Sequence, residues 1–123
     1  MQFRFAFFTT LTASVVAASP IHQITVSIYN DLTGAHGSAA GPSDGLARNL
    51  TMLFSDSPIN NHGAIIGISA HLIRFTDGTR CFFQKGNTII NLNGRAQSFV
   101  DLDGDKSKTI PVYLNGFNLQ CPE

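Results

Sequence analysis

Asp101, Asp103 and Asp105 form the densest group of potential ligands in the chain. Carboxylates at the first, third and fifth positions of a loop can converge on one hard cation, which is how a calcium loop opens. The rest of that pattern is missing. The sixth position, where such a loop turns sharply on glycine, is Lys106, and the twelfth, which should supply a bidentate glutamate, is Val112. The same spacing also serves a solvated turn whose aspartates accept hydrogen bonds from nearby backbone amides. Residues 101–105 are therefore expected to be a turn. Calcium held by Asp101, Asp103 and Asp105 is the alternative, and an acidic loop facing a partner is a third reading.

Other catalytic chemistry has few residues to work with. The histidines are His22, His36, His62 and His71, and no two lie two, three or four apart, so there is no local zinc signature. The only glutamate is Glu123 at the tail, which leaves acid and base roles to aspartates and histidines. No serine sits in a Gly-x-Ser-x-Gly elbow, and Ser69 lacks the second glycine. A hydrolase would need His71 or His62 to converge with an aspartate and with Arg74 or Arg80 in a cleft. No catalytic residue is assigned. The chain has ten phenylalanines and no tryptophan, so an aromatic binding face would rest on Tyr29, Tyr113 and outward phenylalanines. Phe82 is the phenylalanine of interest, because alternation points it away from Cys81 and Phe83.

The first eighteen residues read as an export signal. Arg4 precedes apolar runs from Phe5 to Phe8 and from Val15 to Ala18, with small residues where a peptidase would cut. The run is shorter than the roughly 20 apolar residues that span a bilayer, and no membrane anchor is expected. Residues 19–123 then form one domain, secreted and extracellular. Without Arg4 that domain carries seven basic and eight acidic residues, a net charge of −1. Phosphate neutralisation needs clustered Lys and Arg, so nucleic acid is not an expected partner.

In an exported chain the two cysteines, Cys81 and Cys121, are expected to form a disulfide. Closing a loop of about 41 residues contributes up to about 4 kcal/mol in the chain-entropy account. Asn49-Leu50-Thr51 is an N-glycosylation sequon, which must lie on the surface if occupied.

These residues need a scaffold, and the periodicity predicts an all-β one. The segment from Ile65 to Leu92 is the centre of the expected fold. Ile66, Ile68, Ala70 and Leu72 alternate with Gly67, Ser69 and His71, Asp77-Gly78 turns the chain into residues 79–84, and Lys85-Gly86-Asn87 turns it back into residues 88–92. Earlier, Ile24, Val26 and Ile28 alternate with Thr25, Ser27 and Tyr29 in a strand. Residues 33–43 are rich in glycine and alanine and are expected to be an extended surface loop. Leu46, Leu50, Leu53 and Phe54 fit one face of a short helix capped by Ser43 or Asp44, with an edge strand as the alternative.

Past Leu92, Asn93-Gly94 and Asp103-Gly104 bracket a short strand carrying Phe99, Val100 and Leu102. Ile110, Val112 and Leu114 follow in a strand that Pro111 makes either an edge strand or one whose Pro111 nitrogen faces away from the sheet. Phe117, Leu119 and Cys121 share one face of a last strand after Asn115-Gly116. Turns at this spacing predict a small antiparallel β-sandwich or barrel of about seven or eight strands, with one short helix or helical turn and one disulfide.

Several stretches resemble one group of proteins. Asn30-Asp31-Leu32-Thr33-Gly34-Ala35, Ser69-Ala70-His71-Leu72 through Arg80-Cys81, Phe99 to Asp105 and Leu119-Gln120-Cys121 are similar to the small, cysteine-poor secreted proteins of filamentous fungi, of candidate-effector type. The resemblance is one of style and brings no catalytic motif with it. It implies export and action on another organism's molecules. The chain lacks the aromatic-x-cysteine motif of the ribonuclease-like effectors. The expected function is a non-enzymatic binding module that presents residues 33–43 and 101–108 to an extracellular protein or glycan, without a cofactor. A calcium-dependent carbohydrate-binding module and a small secreted hydrolase are the alternatives.

Overall fold

The computed structural model describes residues 22–105, 107 and 109–122. The expected signal, residues 1–18, lies outside them. Eleven strands and one helical turn follow the order β1 (Gln23–Asn30), β2 (Ala35–Pro42), β3 (Arg48–Asn49), α1 (Leu50–Leu53), β4 (Asn60–Asn61), β5 (Ala64–Gly67), β6 (Ser69–Arg74), β7 (Arg80–Lys85), β8 (Thr88–Asn93), β9 (Phe99–Asp101), β10 (Val112–Tyr113) and β11 (Asn118–Gln120). They pair into three antiparallel sheets with strand orders β2-β1-β6-β9, β10-β5-β4 and β3-β11-β7-β8. The strands outnumber the expected seven or eight because two-residue strands are too short to carry an alternating pattern. No barrel closes among the described residues.

One apolar cluster joins the sheets in sandwich-like packing. Ile24, Val26, Ile28, Ala70 and Leu72 reach it from the β2-β1-β6-β9 sheet, and Cys81, Phe83, Leu92 and Cys121 from the β3-β11-β7-β8 side. Ile65, Leu114, Leu50 and Phe54 fill the space between them and are fully buried. The Cys81–Cys121 disulfide forms inside this core, with Cα atoms 4.1 Å apart.

The expected central strand breaks in two. Residues 64–67 belong to β5 and residues 69–74 to β6, in different sheets. Ile68 is the pivot: its amide donates to the Tyr29 carbonyl (2.7 Å) and its carbonyl accepts from the Leu102 amide (2.9 Å). The phase of burial slips at this point. Ile65 is buried and Ile66 faces out, while Ile68, Ala70 and Leu72 face in. Gly67 permits the slip, because a Cβ there would lie 2.5 Å from Ile28 Cγ2. The Asp77-Gly78 segment is accordingly a crossover between sheets and not a two-residue hairpin. Lys85↔Thr88 does close a two-residue hairpin as expected.

Residues 33–43 are not a loop. β2 pairs with β1 over eight consecutive positions, from Asn30↔Ala35 to Gln23↔Pro42. A residue without a side chain suits this strand at Gly37 because its inner face there meets the side chains of Ser57 and Ile59 closely. A Cβ on Gly37 would fall 1.6 Å from Ser57 Oγ. Glycine here reflects crowding, where the sequence alone reads as chain freedom.

The short helix is present, but its cap is Asn49, whose side chain makes no capping bond. The expected caps are engaged elsewhere. Ser43 Oγ accepts from the His22 amide, and Asp44 forms a two-point ion pair with Arg48 (2.8 and 2.6 Å) that holds its carboxyl well below the usual carboxylate range. Leu46 is exposed, whereas Leu50 and Phe54 are buried. β10 is an edge strand, one of the two arrangements Pro111 allows.

Candidate functional site

The outer face of the β2-β1-β6-β9 sheet carries the most organised set of side chains on the surface. Register places His36, Tyr29, Ser69 and Asp101 in one row across the four strands, and Ser38, Ser27, His71 and Phe99 in the next. Paired residues share a face, and alternate residues along each strand return to it. The first two strands supply this face through Thr25, Ser27 and Tyr29, which alternate with the inward Ile24, Val26 and Ile28, and through their partners Ala40, Ser38 and His36. The last two supply it because Ala70 and Val100 point inward.

Four rings run across both rows. His36 stacks on Tyr29 with centroids 5.4 Å apart and an interplanar angle of 24°. Tyr29 meets His71 diagonally, edge to face, at 4.8 Å, and His71 meets Phe99 edge to face at 4.5 Å. Offset and edge-to-face pairs at these distances are favourable beyond their burial. Beneath the rings Ser27 and Ser38 share a hydrogen bond between their hydroxyls, and Ser27 and Ser69 are buried. Phe99 and Ile73 remain exposed. His71 is half-buried, and the loss of water around it pushes its pKa below the ordinary value, while the charge of Asp31 acts in the opposite direction.

The acidic turn borders this face. Asp101 lies on it opposite Ser69, and the Asp101 carbonyl accepts from the Gly104 amide (3.0 Å). Asp103 Oδ1 accepts from the Asp105 amide (3.0 Å), and Asp105 Oδ1 accepts from the hydroxyl (2.6 Å) and amide (2.9 Å) of Ser107. The Ser107 bonds hold the Asp105 carboxyl below its usual value. Asp103 Oδ2 is buried with no hydrogen-bond partner among the described residues. The Asp103 and Asp105 carboxylates and the Asp101 carbonyl thus serve a local turn, and no group of three metal-ligating side chains converges among the described residues.

Of the residues a hydrolase would draw on, His71 and Arg74 lie on β6, Arg80 on β7 in another sheet, and His62 in the β4–β5 turn with a φ of 54°. Phe82 is half-buried on the outer face of the β3-β11-β7-β8 sheet, opposite Gln120 and Asn91. Asn49 is exposed at the end of β3.

Tyr29 is expected from the sequence as part of an aromatic face, but its grouping with His36, His71 and Phe99 is not. Tyr29 and His71 each sit on the polar phase of a strand, and that signal is legible. Their proximity depends on β1 pairing with β6, and His36 lies in the segment that reads as a loop. Compared with protein-family models, curated proteins and solved structures, the chain matches none.

Proposed function

We propose that the chain is an exported, non-enzymatic binding module that engages a partner protein through the outer face of the β2-β1-β6-β9 sheet. The observation that carries this is the chain of ring contacts His36-Tyr29-His71-Phe99 across the two rows. Neighbouring strands lie about 4.8 Å apart, so rings stacked across them at 5.4 Å stand upright on the sheet. The stacked pair His36 and Tyr29 spends ring faces on one another, and each edge-to-face contact of His71, with Tyr29 and with Phe99, covers one more ring face, so what the cluster offers solvent is largely ring edges, one phenol hydroxyl and imidazole nitrogens. Sugar stacking uses open ring faces, whereas protein interfaces use such aromatic ridges flanked by aliphatic side chains. Ile73 and Phe99, 53% and 43% exposed, flank this one. The segment 101–108 adjoins the face through Asp101, which keeps the expected acidic loop as part of the rim. Effector-like action on another organism's protein agrees with this reading.

The test uses residues 19–123 immobilised as wild type and as the variants Phe99→Ser, Ile73→Ser and Tyr113→Ser. Tyr113 is 55% exposed on β10, away from the face, and serves as the control. Proteins captured by wild type and Tyr113→Ser, and lost with both Phe99→Ser and Ile73→Ser, are the expected result. Capture indifferent to all three substitutions, or binding to purified oligosaccharides in place of protein, overturns the proposal.

A further inference from the structure

The opposite outer face has a different chemistry. On the β3-β11-β7-β8 sheet, register aligns Asn49, Asn118, Gln84 and Ile89 in one row across all four strands. The adjacent row carries Gln120, Phe82 and Asn91. These two rows hold amides, one half-buried aromatic ring and one aliphatic side chain, with no charge among them.

The amides are partly preorganised. Gln120 Nε2 donates to Gln84 Oε1 (3.0 Å) and to Asn118 Oδ1 (2.9 Å). These bonds fix the direction of the groups left over. Among the described residues no hydrogen bond engages Asn118 Nδ2, Gln120 Oε1 or the side chain of Asn91. Donors and acceptors in a fixed array beside an aromatic ring match the alternating hydroxyl and C–H surface of a sugar.

Asn49 stands at the head of this array and is the first residue of Asn49-Leu50-Thr51. It is exposed, it sits at the junction of β3 and α1, and its side chain makes no capping bond to the helix. An N-cap asparagine ordinarily accepts from a backbone amide of the first turn. Among the described residues its amide makes no hydrogen bond, so modification of Nδ2 removes none from the described fold.

We infer that Asn49 carries an N-linked glycan whose first sugars lie over Asn118, Gln84, Gln120 and Phe82, covering this face of the protein. The attachment forms one bond, from Asn49 Nδ2 to the anomeric carbon of an N-acetylhexosamine, and breaks that carbon's bond to the phosphate of a lipid-diphosphate-linked oligosaccharide. The amide loses a proton, and the lipid diphosphate leaves. Each step across the sheet advances about 4.8 Å, so a chain rooted at Asn49 passes above Asn118 before reaching the Gln84 and Phe82 column. The glycan then shields the amide face and leaves the ring ridge on the other sheet open. This inference rests on export through a glycosylating compartment, and it is independent of which partner the ridge binds.

The experiment compares wild type with Thr51→Ala, each secreted from a glycosylating eukaryotic host and each also made without glycosylation in a bacterial host. Intact mass and peptide mapping read occupancy at Asn49. Thermal melting reads docking. Occupied wild type is expected to melt about 4 °C or more above secreted Thr51→Ala, while the two bacterial proteins melt together. In a Phe82→Ser, Gln120→Ala background the difference between occupied and unoccupied protein is expected to vanish. An unoccupied Asn49 in secreted wild type, equal melting of occupied and unoccupied protein, or a difference that survives in the Phe82→Ser, Gln120→Ala background each overturns the inference.

Discussion

Cys81 and Cys121 face each other across β7 and β11, one step beyond the Gln120↔Phe82 pair, and both are buried at 2% and 7% exposure. The bond joins residues 40 apart in sequence and ties β11 to the middle of its sheet. Removing it in a Cys81→Ala, Cys121→Ala double variant is expected to cost roughly 2–4 kcal/mol, chiefly by loosening the unfolded chain. Urea unfolding checks this. A loss under about 1 kcal/mol would mean that the sheet holds β11 without help.

Asn115 is a clasp between two turns. Its Oδ1 accepts from the Ile65 amide (2.9 Å) and its Nδ2 donates to the Gly63 carbonyl (2.8 Å). Asn115→Ala is expected to destabilise the fold by about 1–3 kcal/mol, since it leaves a half-buried amide and a carbonyl to find new partners. Asn115→Asp keeps the acceptor and loses the donor, so its cost should be measurable and smaller than that of alanine at neutral pH. The order of the two melting points decides the matter.

Gly37 and Ser57 should be coupled. A methyl group at position 37 would overlap Ser57 Oγ at 1.6 Å and press on Ser57 Cβ at 2.9 Å. Gly37→Ala is expected to cost about 1–3 kcal/mol through overpacking. Ser57→Gly removes both opposing atoms, so the double variant should be more stable than the sum of the single losses predicts. A double-mutant cycle with a coupling below about 0.5 kcal/mol would show that the segment around Ser57 simply moves aside.

His71 gives the stability a slope in mild acid. Its pKa is lowered in the folded protein from an ordinary value of 6.5, so between the two values the unfolded chain binds more protons. Stability is therefore full above about pH 6.5 and falls as the pH drops from there through the folded pKa. Asp31→Asn removes the charge that opposes the shift and should lower the His71 pKa further. Titration of the imidazole by NMR in both proteins checks the direction. A folded value above 6.5 would contradict the burial of the ring between Tyr29 and Phe99.

The alternating runs in β1, β7, β8 and β11 were readable because each has one buried face, and burial on one side writes a period of two into the sequence. The disulfide was readable for the same reason, since both cysteines share the inward phase of their strands. β2 was hidden because close packing demands glycine and alanine there, and those residues otherwise mark loops. The break at Ile68 was hidden too, because a strand that changes sheets keeps its apolar residues and shifts only their phase. The candidate sites depended on more than local pattern. Tyr29, His71 and Phe99 lie on three strands, and their assembly is a matter of which strands pair, which no short window encodes. Asn49 was visible as a sequon, but its alignment with Asn118 and Gln84 belongs to the register.

β11 fills a slot between β3 and β7, pairing Asn118 with both Asn49 and Gln84. Until residues 118–120 arrive, β3 has no neighbour and the sheet stops at β7. The β2-β1-β6-β9 sheet needs no residue beyond 101, whereas the sheet that carries Asn49 is completed only by the last strand of the chain, so Asn49 is among the last positions to be fixed in place.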